Sequence, residues 1–86
     1  MQSTIPTPES YEIAVNRMLI NIYLEHLTIM LSFQLEDIIK YHFNRIYQIF
    51  HQLKGDDFLK ELMLKLQNKD LSQQIDILFD QLDQLK

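Results

Sequence analysis

Between Ser10 and Lys54 the chain contains neither proline nor glycine. That stretch is just over half of its 86 residues. β-Branched residues occur in it, but no alternation of apolar and polar residues lasts, so the spacing predicts helix. A start signal stands just before it in Thr7-Pro8-Glu9. Thr7 is placed to cap, and Pro8 fits the first helical position because its missing N–H would be orphaned there anyway. Glu9 suits the positive end of the helix dipole. Residues 1–7 read as an irregular lead, and 8–86 as one helical domain.

A wheel at 100° per residue decides whether this stretch is one rod or two. From 10 to 33 the polar residues Ser10, Arg17, Asn21, Glu25, Thr28 and Ser32 form one narrow stripe, and the rest of the circumference is largely apolar. From 35 to 53 the pattern is an ordinary amphipathic helix. Leu35, Ile38, Ile39, Phe43, Ile46, Ile49, Phe50 and Leu53 share one face, and Glu36, Asp37, Lys40, Asn44, Gln48 and His51 occupy the other. In a straight rod the polar stripe of the first half would run into the apolar face of the second. A break near residue 33 is therefore expected, with Ser32 capping the next helix and Glu36 and Asp37 near its positive end.

The single glycine, Gly55, follows the last apolar position of the second helix. It is expected to take a left-handed conformation that closes the last turn, with Asp56 or Asp57 capping the third helix. Asn68-Lys69-Asp70 marks another break. Asp70 with Gln73 resembles a capping box, with Ser72 as the rival cap. In the last helix Leu71, Ile75, Leu78, Leu82 and Leu85 recur at 4-3-4-3 spacing, a coiled-coil-like seam. The expected fold is all-α, a small bundle of three to four helices over about 8–31, 34–54, 57–67 and 71–85.

A first helix apolar almost all round must be covered on several sides. It spans about 36 Å, against about 16 and 22 Å for the last two helices. It is expected to sit centrally, barely covered by the other three, and the chain is expected to associate as a dimer or to bind another protein. The residues expected at that interface are Leu19, Tyr23, Leu27, Met30 and Phe33 on the first helix, Tyr41 and Tyr47 on the second, and Leu78, Leu82 and Leu85 on the last seam.

Composition narrows the function classes. Hydrophobic residues make up 47%, which excludes a disordered chain. With no cysteine there are no disulfides or thiolate metal sites, and a reducing, cytoplasmic setting is expected. The first ten residues lack the Lys or Arg of a secretory leader. The most apolar stretch, 18–33, is interrupted by Asn21, Glu25, His26 and Ser32, so no membrane span is expected. The net charge of −4 argues against nucleic acid as partner.

His26, His42 and His51 lack metal-ligand spacing. Core or interface roles are expected for His26 and His42, and a solvated place for His51. Glu36–Asp37 and Asp56–Asp57 stand at helix starts, where carboxylates cap rather than catalyse. One glycine excludes a P-loop or a dinucleotide-binding turn. No cofactor and no enzymatic activity are expected.

The expected function is protein–protein interaction through apolar helix faces, as a small adaptor, a regulatory or inhibitory protein, or a chaperone-like helical protein. The acidic last helix, with Asp76, Asp80 and Asp83, would favour a basic partner. The alternatives are a small dimeric nucleic-acid-binding regulator using Lys60, Lys65 and Lys69, or a structural subunit of a larger complex.

Overall fold

The computed structural model describes residues 8–85, with side chains from Ser10 onward. Four helices follow one another: α1 (Pro8–Met30), α2 (Glu36–Lys54), α3 (Asp56–Leu66) and α4 (Leu71–Asp83). A 3-10 turn, Leu31–Phe33, joins the first two. The fold is all-α, a small bundle, as the periodicity predicts. The expected cap at Thr7 and the irregular lead lie outside the described residues.

The break between α1 and α2 falls where the two wheels disagree, but Ser32 does not cap it. Ser32 lies inside the 3-10 turn. Gln34 reverses the chain in the left-handed region, at φ 56° and ψ 38°, and donates its N–H to the Met30 carbonyl at 3.1 Å. Leu35 precedes α2 and makes no side-chain cap. Such a conformation costs a non-glycine residue about 1–2 kcal/mol. The offsetting gain is that α2 turns back and brings Ile39, Phe43, Ile46, Ile49 and Phe50 into the core, where all five are buried.

At the α3–α4 joint Asn68 takes the left-handed role at φ 64°, which Asn tolerates better than most residues. Between the two possible caps the structure uses Asp70. Its Oδ1 accepts the Gln73 N–H at 2.8 Å, and Gln73 Oε1 accepts the Asp70 N–H at 3.1 Å. This reciprocal box satisfies two donors that the first turn would otherwise leave unpaired.

The helices pack as a ring: α1 on α2, α2 on α3, α3 on α4, and α4 back on α1. The core lies between them and includes Ile20, Leu24 and Leu27 of α1, Phe50 of α2, Leu62 of α3 and Leu78 of α4. The Cα trace measures 52 × 27 × 18 Å. α1 packs on α2 and α4, and the Tyr11, Val15, Met18, Leu19, Ile22 and Ile29 side chains away from them stay exposed. α1 is therefore an outer helix, not the central one expected from its apolar circumference. Its neighbours lie on one side of it.

Tyr47 sits half-buried between α2 and α3, beside Phe43 and near Leu59. Burial pushes its phenol above the ordinary value. In the unfolded chain the proton leaves near pH 10. Just above that pH the folded chain holds more protons than the unfolded one, so stability falls as pH rises. Below it the contribution is intact. Urea midpoints taken from about pH 9 to 11 should fall less in Tyr47→Phe than in the parent. An equal fall in both would mean that other groups carry the alkaline loss.

Candidate functional site

α1 has three faces. Ile20, Leu24 and Leu27 point inward and are fully buried. Arg17, Asn21, Glu25 and Thr28 form the polar stripe, along which Asn21 Nδ2 donates to Glu25 Oε1 at 3.1 Å. Thr28 Oγ1 donates back to the Leu24 carbonyl at 3.0 Å, satisfying its hydroxyl locally. The third face is apolar and bare. Tyr11, Val15, Met18, Leu19, Ile22 and Ile29 all lie exposed on it, and Phe33 continues it on the 3-10 turn. Met18, Ile29 and Phe33 keep 64%, 59% and 67% of their surface, values ordinary for a charged side chain but not for a line of apolar ones.

The face is bordered on the α2 side by an aromatic cluster around His42. The Tyr23, Tyr41 and His26 rings lie 5.1, 5.8 and 5.9 Å from the His42 ring, the first two edge-on. His42 is buried. Its Nδ1 lies 2.9 Å from the Ile38 carbonyl. A carbonyl can only accept, so Nδ1 carries the hydrogen of this contact. His26 is exposed beside it, on the same side as Ile22 and Ile29. Arg45, near the Tyr23 hydroxyl, is held above its ordinary value, first by a hydrogen bond with Tyr23 and then by its charge interaction with that group. The cluster joins α1 to α2 through ring contacts of Tyr23 and His26 with His42.

The interface residues expected from the sequence divide by burial. Leu19, Phe33 and Tyr41 are exposed. Leu19 and Phe33 lie on the bare face and Tyr41 at its border. Tyr23 and Met30 are half-buried against the core. Tyr47 lies apart from the other tyrosines, in ring contact with Phe43 at 6.0 Å. Leu27, Leu78, Leu82 and Leu85 are in the core, each 5% exposed or less. Apart from Leu71 at its start, which is 42% exposed, the 4-3 seam thus faces its own chain. An a/d repeat states only that a helix has one apolar side, not whose surface covers it.

Tyr11, Val15, Met18, Ile22 and Ile29 complete the bare face beside Leu19 and Phe33. Residue type does not separate the two sides of α1: the bare face holds Tyr11 and Met18, and the inward side holds Tyr23 and Met30 beside Ile20, Leu24 and Leu27.

His51 and Asp56, both exposed, pair across the α2–α3 joint. An exposed pair of this kind contributes little to stability. Among the described residues no group of three or more His, Asp or Glu could hold a metal ion, and no helix is long and apolar enough to cross a membrane. The grooves are shallow. One lies between α1 and the end of α4, lined by Ala14, Arg17, Met18, Asn21, Leu82 and Asp83. Comparison with protein-family models, with curated proteins and with solved structures finds no match to this chain.

Proposed function

We propose that this chain is a protein–protein interaction module that works by docking the outward face of α1. The observation that supports this is the continuity of the face. Six apolar side chains from Tyr11 to Ile29 lie exposed along one side of a 23-residue helix, with Phe33 beyond them. Scattered exposed apolar residues are normal on any surface. A contiguous row of this length, rimmed by Arg17, Asn21 and Glu25, is what a docking face requires. Burial of the row would supply most of the affinity, and Tyr11, Met18 and Phe33 would supply the anchors. The role is that of a small adaptor or regulatory protein whose state depends on what occupies this face.

The test is a photoreactive residue placed at Met18 in cells that make the protein, with one at Lys60 as control. Lys60 is exposed on α3. Irradiation should give a discrete protein adduct from position 18 and none from position 60. No adduct at 18, or equal adducts at both, would overturn the reading.

A further inference from the structure

We infer that the occupant of the outward α1 face is the same face of a second copy of this chain, running antiparallel about a two-fold axis at Ile22. The inference rests on the docking role proposed above and names its partner. Its first support is spacing. The positions down the middle of the face, with the exposed His26 counted in and Leu19 to one side, are 11, 15, 18, 22, 26, 29 and 33. The intervals are 4, 3, 4, 4, 3 and 4, the same in both directions. A two-fold axis through the centre of such a row sets each residue level with another of the same row, as an isologous contact demands. Tyr11 comes level with Phe33, Val15 with Ile29, Met18 with His26, and Ile22 with its own copy. The Met18–His26 level places a thioether against an aromatic ring, a favourable contact.

The second support is area. A whole aromatic side chain covers about 150–250 Å² and an aliphatic one somewhat less, so the bare face exposes roughly 700 Å². A stable pair of standard size needs about 800 Å² from each partner. His26 and Tyr41, exposed at the border, make up the difference. The third is charge. Within the row His26 is the one basic side chain, and it comes level with Met18 rather than with a second His26; no Asp, Glu, Lys or Arg stands in the row. Glu25 comes level with Leu19 of the second copy, not with another carboxylate. Glu12 is drawn away from the face by Gln52, whose Nε2 donates to its Oε1 at 3.0 Å. Although each chain carries a net charge of −4, no like charges oppose one another within the row.

Sedimentation of the full chain over a concentration series should give twice the chain mass of 10.4 kDa. Ile22→Glu and Ile22→Lys each put like charges on the axis. Each should raise the dissociation constant at least about 100-fold while leaving the melt cooperative. Mixing the two variants should restore the pair. Cysteine pairing reads the direction, since the chain has no cysteine of its own. Ile22→Cys should cross-link to itself. Val15→Cys and Ile29→Cys should cross-link only when mixed. A chain that stays monomeric across the series overturns the inference, as does self-linking of Val15→Cys or of Ile29→Cys alone, the parallel result. If the adduct at position 18 instead has the mass of another protein and the chain is monomeric, the docking role stands and its homodimeric form falls.

Discussion

Phe50→Ala should remove about 3–5 kcal/mol of stability, the usual cost of emptying a fully buried aromatic site. Phe50 has no exposed surface, and its ring lies 5.6 Å from that of Phe58 at the start of α3. Two helices converge on it, so its removal leaves a cavity that neither can close without losing its own packing. A chain of this length has only about 4–13 kcal/mol in total. Urea unfolding of the variant should therefore show a midpoint far below the parent's, with no folded baseline if the parent stands at the low end of that range. The control is Leu64→Ala, which removes the branched end of a side chain that is 69% exposed. It should change stability by less than about 0.5 kcal/mol. Comparable losses from both variants would mean that the two sides of this part of the bundle have been assigned the wrong way round.

That contrast marks what the sequence could carry. The number and rough limits of the helices were legible because each break has a local cause: the phase shift near residue 33, Gly55, and Asn68 before the Asp70 box. The inward side of α2 was legible as well, since a helix with one apolar side can bury only that side. α1 is different. It has two apolar stripes, Ile20–Leu24–Leu27 and Tyr11–Val15–Met18–Ile22–Ile29, and periodicity says nothing about which of them meets the other helices. Neighbours decide that, and neighbours follow from the reversal at Gln34, which no residue preference announces. The same gap explains the α4 seam. Its leucines were legible as an apolar row, but the row's partner turned out to be the chain's own core, so a charge at Leu78 or Leu82 would report on folding rather than on association. Leu27 is equally a core position, and only residues such as Met18 and Ile22 can separate docking from folding.

Gly55→Ala should destabilise the fold by about 1–3 kcal/mol, through the backbone alone. Gly55 has φ 90° and ψ −175°, a region that is essentially glycine's own. This is not the left-handed helical conformation expected of a residue closing a helix. An ordinary left-handed closure would turn the chain by a different angle. Here one residue ends α2 and starts α3. Its N–H donates to the His51 carbonyl at 2.8 Å, and its carbonyl accepts the Leu59 N–H at 3.3 Å. Asp56 and Asp57, expected as caps, instead stand in the first turn of α3, where their charge favours the helix dipole. A Cβ built at Gly55 meets no neighbouring atom within 4 Å, so steric clash is not part of the cost. Chirality separates the two causes. Changing the hand of the residue inverts the signs of its favoured angles, and φ −90° with ψ 175° lies in the broad extended region. A synthetic chain with D-alanine at position 55 should therefore lose nothing. It should gain about 0.4–1 kcal/mol, because a methyl group restricts the unfolded chain while suiting the folded one. Equilibrium urea curves of the glycine, L-alanine and D-alanine chains should rank D-alanine first and L-alanine last. If both alanines destabilise equally, the methyl group itself is what the joint rejects, and the positive φ is not what holds α3 against Phe50.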